Sequence, residues 1–242
     1  MYKKTLKIRL APDGGLFLPK MMSQLNFDRL VNLDFTTRMV LMLEDLLPKP
    51  YFPIETLEQI CSEAYKHFPV TGTPIVQFGE NLAVAELFHG PSASFKDHAL
   101  QLLPHLLRSC QQGDVVPATM VIAATNGDTG GALLSGMQGS DIDGMYGVVL
   151  MPANGPSDVQ KNQLASCQSD SVKVLQVDGD LDFCQHFVHT FLLEYSDVFT
   201  SEYFMLLTSA NSISWPRIAV QIAMHSNCYL EAVRTGMTHF TI

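Results

Sequence analysis

From about residue 82 onward this chain alternates short apolar runs with helical segments, and that rhythm restricts it to one class of fold. Residues 82–87 and 119–124 have the character of strands, the second of them buried. Residues 95–108 read as helical with a kink at Pro104, and 129–138 as a helix. Residues 146–150 and 172–177 are further strands. Between them Ser157 and Gln160 form an S-x-x-Q capping box, which predicts a helix to about Cys167. A helix over 182–193, a strand over 204–207, and a helix opened by Ser214-Trp215-Pro216 complete the pattern. Strand–helix–strand units of this length close into a parallel sheet with right-handed crossovers. The expected fold is therefore α/β, a parallel sheet flanked by helices. Ligands in such sheets sit beyond the carboxyl ends of the strands. That directs attention to the loops after Leu87, Ala124 and Leu207.

The earlier part of the chain reads differently. Up to about Gly79 it looks helical, punctuated by Pro and Gly, with Ile54, Leu57, Ile60, Cys61 and Ala64 on one helical face. Ala11-Pro12-Asp13-Gly14-Gly15 reads as a turn. With 47% hydrophobic and 16% charged residues the chain has ample material for a core. Its mean hydropathy of +0.13 suggests surface meant to be covered, by a further domain or a second subunit. A formal net charge of −9 argues against nucleic acid as a partner. The five cysteines are scattered and read as free thiols. No apolar run approaches the roughly 18 residues of a membrane helix. No targeting signal is visible, so a soluble intracellular protein is expected, with cytoplasm and mitochondrion indistinguishable.

Two loops carry residues suited to chemistry. In His89-Gly90-Pro91-Ser92-Ala93-Ser94-Phe95-Lys96-Asp97, a lysine stands at the mouth of a predicted helix, where positive charge is unfavourable. Desolvation and the helix end would lower its pKa and make a nucleophilic amine. The alternative is a surface lysine paired with Asp97. The second loop, Thr125-Asn126-Gly127-Asp128-Thr129-Gly130-Gly131, follows a strand and opens a helix, so its amides could cradle an anion. It reads equally as a tight turn capped by Asp128. His186 and His189, spaced i,i+3, lack the further ligands of a metal site, and none is expected.

Read together, H-G-P-S-A-S-F-K-D, A-T-N-G-D-T-G, L-M-P with S-D-V-Q-K-N-Q, V-D-G-D-L-D-F-C-Q and S-A-N-S-I-S-W-P-R resemble the successive signatures of the threonine synthase family. Asp13-Gly14-Gly15-Leu16-Phe17-Leu18-Pro19 resembles that family's N-terminal element. The wording is closest to the threonine-synthase-like proteins. The resemblance runs in order over nearly the whole chain. It implies a pyridoxal-phosphate (PLP) enzyme of the tryptophan-synthase β-subunit fold.

By that resemblance Lys96 would form the Schiff base with PLP and act as catalytic base and acid. Asp128 would lie near the cofactor's phenolic oxygen. Thr125, Asn126, Gly127, Thr129 and Gly130 would hold the substrate carboxylate. The substrate would be a phosphorylated amino acid such as O-phosphohomoserine, losing its γ-phosphate and gaining water. Asn211, Ser212 and Arg217 fall in a signature without an assigned role. Asn126 stands where the family has Ser, and Pro216 where it has Ala. The implied organisation is a helical region over 1–80, the lysine segment over 81–116, a small α/β domain over 117–208, and a return helix over 209–242. The family continues past this point into a loop that holds the cofactor phosphate. The resemblance therefore implies a C-terminally truncated fragment with little activity of its own; the alternatives are a non-catalytic relic of that family or, apart from the resemblance, a simple α/β phosphate-binding module using residues 126–131. Residues 117–208 are expected to be its best-packed part, with loose flanking helices.

Overall fold

The computed structural model describes residues 24–79, 82–111 and 115–237. The turn expected at residues 11–15 and the element at 13–19 lie outside the described residues. Three helices come first: α1 (Phe27–Leu30), α2 (Phe35–Leu46) and α3 (Ile54–Tyr65). Asp34 caps α2, its Oδ1 accepting from the Thr37 amide at 3.0 Å and its Oδ2 from the Thr37 hydroxyl at 2.6 Å. The helical face read from the sequence of α3 is the face it buries, with Leu57, Ile60, Cys61 and Ala64 inward.

Two strands follow, β1 (Ile75–Phe78) and β2 (Leu82–Ala85), paired antiparallel from Ile75↔Ala85 to Phe78↔Leu82. This corrects two expectations. The stretch before Gly79 is not wholly helical, because Ile75-Val76-Gln77-Phe78 is a β-branched and aromatic run that suits a strand. The strand at 82–87 also stands apart from the parallel sheet, forming a hairpin of its own. The segment expected as one kinked helix is two, α4 (Asp97–Leu100) and α5 (Leu103–Ser109). Pro104 falls in the first turn of α5, where its missing N–H is harmless.

The rest of the chain is the alternation foreseen: β3 (Ala118–Ala124), α6 (Asp128–Ser140), β4 (Met145–Pro152), α7 (Asp158–Ser166), β5 (Val172–Val177), α8 (Leu181–Glu202), β6 (Met205–Ser209) and α9 (Trp215–Arg234). The four strands are parallel, in the order β5-β4-β3-β6. Alternate residues of β3 serve opposite faces. Val121 and Ala123 pack with Val149, Val172 and the α6 residues Leu133, Leu134 and Met137. Ile122 packs with Leu150, Leu207 and the α8 residues Cys184, Val188 and Leu192.

A third core joins α2, α3 and α9. Met39, Leu43, Phe52, Leu57 and Cys61 meet Ala219 and Ala223 there, each fully enclosed. The Trp215 indole donates to the Leu46 carbonyl at 3.2 Å. Arg38, also enclosed, donates to the carbonyls of Leu30 and Val31 and to Asn227, and forms a 2.6 Å ion pair with Glu231. The flanking helices are thus as closely packed as the sheet, contrary to expectation. Their apolar faces are met by α9, which returns across them.

The lysine segment packs closely against α6. A Cβ on Gly136, in the middle of α6, would lie 2.3 Å from the Leu100 carbonyl oxygen at the end of α4. Only hydrogen fits. Gly136→Ala should therefore force the two helices apart and destabilise the protein by about 1–3 kcal/mol, read from the urea unfolding midpoint. An unchanged midpoint would show that the approach is not a constraint.

Candidate active site

Asp97 organises the lysine loop. Its carboxylate is buried, and it accepts from the Ser92 amide (2.8 Å), the Ser92 hydroxyl (2.8 Å) and the Gln101 side chain (3.2 Å). Burial pushes its pKa up, and the Ser92 hydrogen bonds oppose that. Gly90 is required beside it, since a Cβ there would meet the Asp97 carboxylate at 2.4 Å. Asp97 is therefore turned inward and does not pair with its neighbour, which corrects the simple reading of Lys96 as one half of a Lys96–Asp97 pair.

Lys96 occupies the N-cap position of α4 with αR backbone angles. Its Nζ lies 3.2 Å from Asp128 Oδ2 and 4.6 Å from the centre of the Phe95 ring. Asp128 is the first residue of α6, so the starts of two helices supply the pair. The second oxygen of Asp128, Oδ1, accepts from Gln160 Nε2 at 2.9 Å. The Gln160 hydrogen bond does most to hold the Asp128 carboxyl below its ordinary pKa of 3.8; burial opposes it, and Lys96 adds a further lowering.

The 125–131 segment joins β3 to α6 as its sequence predicts, with 125–127 as the connecting turn and 128–131 already in the first turn of the helix. Its amides converge, but partly on a protein atom. Thr125 Oγ1, buried, accepts from the amides of Gly127 (3.0 Å) and Gly130 (3.2 Å). The first-turn amides of Asp128 and Thr129 are left by helix geometry without an intrahelical acceptor. Gly127 has φ +146°, open to glycine and strained for other residues. Asn126 is exposed, and its Oδ1 leans toward the turn at Gly155.

Beside this loop a cleft of ≈ 640 Å³ opens at the carboxyl ends of β3 and β6. Thr129 stands on one side; α8 contributes Asp182, Gln185, His186 and His189; Asn211, Ser212 and Arg217 line the remainder. This is where the strand order reverses, with β4 on one side of β3 and β6 on the other. Arg217 is buried, and its Nη1 donates to the Ala210 carbonyl at 3.0 Å. Its Nε has no hydrogen-bond partner among the described residues. Burial lowers its pKa to about 10. A buried guanidinium on one carbonyl, lining a cleft, has the chemistry to accept an anion.

The sequence alone left Arg217, Asn211 and Ser212 without a role. Their position at the mouth of a Pro-opened helix after a sheet strand was the available signal. His186 and His189 line the cleft side by side on α8. Among the described residues no group of three or more His, Cys, Asp or Glu side chains could hold a metal ion. No helix among them is long and apolar enough to cross a membrane.

Comparison with known proteins agrees with this architecture. The chain is 34% identical to human threonine synthase-like 1 over 244 residues, covering 96% of this chain and 32% of that protein. It is 30% identical to the threonine synthase of Saccharomyces cerevisiae over 240 residues, covering 92% of this chain and 45% of the relative. A crystal structure of PLP-bound threonine synthase from Brucella melitensis superposes with a TM-score of 0.78 at 28% identity, covering 98% of this chain and 50% of that one. The Escherichia coli threonine synthase gives 0.78 at 26% identity, again over 50% of its length. No family model matches the chain. Threonine synthases and threonine synthase-like 1 proteins are thus its homologues, and it spans between about a third and a half of their length.

The Thr125 hydroxyl should be worth more to this site than its size suggests. Thr125→Val keeps the shape but leaves the Gly127 and Gly130 amides without an acceptor. It should cost about 1–3 kcal/mol in urea unfolding and speed hydrogen exchange at both amides. Unchanged exchange at Gly127 and Gly130 would refute the assignment.

Proposed function

We propose that this chain carries the lysine and the substrate-binding loops of a PLP-dependent lyase of the threonine synthase type. The substrate would be a phosphorylated amino acid such as O-phosphohomoserine, which loses its γ-phosphate and gains water. The observation that carries the reading is the amine of Lys96, held 3.2 Å from Asp128 beside a cleft lined by Thr129 and Arg217.

The residues present fit the cofactor. A partly exposed primary amine, an acidic partner and a helix start form one donor set at the carboxyl end of β3. When bound, PLP supplies an electron sink for the substrate's α carbon. Lys96 Nζ is the amine that would hold the cofactor's aldehyde. Once released, that amine would take a proton from the α carbon and return it. Asp128 keeps a negative charge beside Nζ and so keeps the side chain directed into the site. The substrate carboxylate would lie on the first-turn amides of α6, those of Asp128 and Thr129. The Gly127 and Gly130 amides, held by Thr125, would shape the loop around it.

Arg217 would take the phosphate. Its guanidinium is buried with one carbonyl for company, and a dianion would compensate its charge. Asn211 and Ser212, on the same loop, present polar groups to the same cleft. A substrate with a carboxylate at one end and a phosphate at the other would offer one group to each of these sites.

Borohydride reduction in the presence of PLP should fix the cofactor to Lys96, and Lys96→Ala should abolish the labelled peptide. Label recovered on a different lysine would overturn the assignment. Inorganic phosphate at about 100 times its Kd should stabilise the protein by about 2.7 kcal/mol. Arg217→Met should remove that increment and raise the melting temperature in phosphate-free buffer, because an uncompensated buried charge is gone. A phosphate effect that survives in Arg217→Met would place the anion elsewhere.

A further inference from the structure

We propose that Gln160 is a positioning residue that turns the Asp128 carboxylate onto the Lys96 amine, coupling the start of α7 to the lysine; its consequence for chemistry rests on the reading of Lys96 as the reactive amine. Both ends of the Gln160 amide are committed. Oε1 accepts from the Ser157 amide at 2.9 Å and from the Ser157 hydroxyl at 3.1 Å, which is the capping half of its work. Nε2 donates to Asp128 Oδ1 at 2.9 Å, while Asp128 Oδ2 faces Lys96 Nζ at 3.2 Å. A carboxylate held at one oxygen by a fixed donor cannot rotate its other oxygen freely. Lys96 is the charged group that faces it.

The backbone opposite is shaped for this side chain. A Cβ on Gly127 would lie 2.5 Å from Gln160 Cδ and 2.6 Å from its Cγ. Glycine at that position leaves the channel through which Gln160 reaches Asp128. The residue type points the same way. A capping box accepts Glu or Gln at its third position, because only an acceptor oxygen is needed. Glutamate would cap α7 equally well, yet it would set a second carboxylate against Asp128. The amide satisfies both demands. The Gln160 hydrogen bond is also the largest influence holding the Asp128 carboxyl low.

Two substitutions separate the capping role from the positioning role. Gln160→Glu keeps the cap and replaces the donor with a like charge. Ser157→Ala loses the cap and keeps the donor. The primary readout is the Asp128 carboxyl 13C resonance followed against pH in the protein without cofactor. Gln160→Glu should raise its midpoint by about one pH unit or more, and Ser157→Ala should leave it in place. An unmoved midpoint in Gln160→Glu, or an equal shift in Ser157→Ala, would overturn the proposal. The second readout is borohydride-trapped PLP on Lys96. It should fall several-fold in Gln160→Glu and stay at the parent level in Ser157→Ala; equal trapping in all three proteins would also overturn it. If the parent protein traps no label on Lys96, the functional reading fails while the titration still decides whether Gln160 holds Asp128.

Discussion

The close approach of α4 and α6 at Gly136 is the contact on which the rest of the site depends. Lys96 stands at the start of the first helix and Asp128 at the start of the second. Neither is placed by a neighbour in sequence, and 32 positions separate them. They meet because the α6 backbone lies against the Leu100 carbonyl with no side chain between. Gln101 reinforces the contact, donating to the Ala132 carbonyl of α6 and to Asp97 of the lysine loop. The lysine therefore reaches the sheet through helix packing, and not as part of a loop hanging from a sheet strand.

The second organising feature is a charge imbalance. Arg38 and Arg217 are both buried cations, but they are treated differently. Arg38 is surrounded by two carbonyls, an amide oxygen and Glu231. Every nitrogen of its guanidinium is used, and it ties α2 to α9. Arg217 has one carbonyl and an open cleft. Two residues of one type, at similar depth, are distinguished by what satisfies them. The first closes a core and the second faces an open cleft.

Much of the sheet was legible because its strands are continuous apolar runs and its helices are punctuated by readable caps. The Ser157–Gln160 capping box and the Pro216-opened helix are present as expected. The hairpin was not legible. Ile75–Phe78 follows Thr73-Pro74 and precedes Gly79, so its strand character was hidden among turn residues. The helix α8 runs to Glu202, well beyond 193, because polar residues continue its outer face after the buried Leu192. Lys96 and Asp128 were singled out by local context and family resemblance, but their contact was not, since nothing local encodes it. The partner of Asp97 was also missed. A carboxylate beside a lysine suggests a pair, whereas Ser92, with two donors, and Gln101, with one, compete for it and win.

The Thr125 hydroxyl has a thermodynamic meaning for whatever anion this loop receives. A glycine-rich loop is the most mobile kind of backbone, and ordering one on binding consumes affinity. Here a single side chain, itself buried, ties two of the loop's amides before any ligand arrives. The disorder is removed during folding and need not be removed again. Any small anion bound here, with few atoms to contribute contacts, would meet a preorganised mouth, so its modest interaction energy would go into recognition.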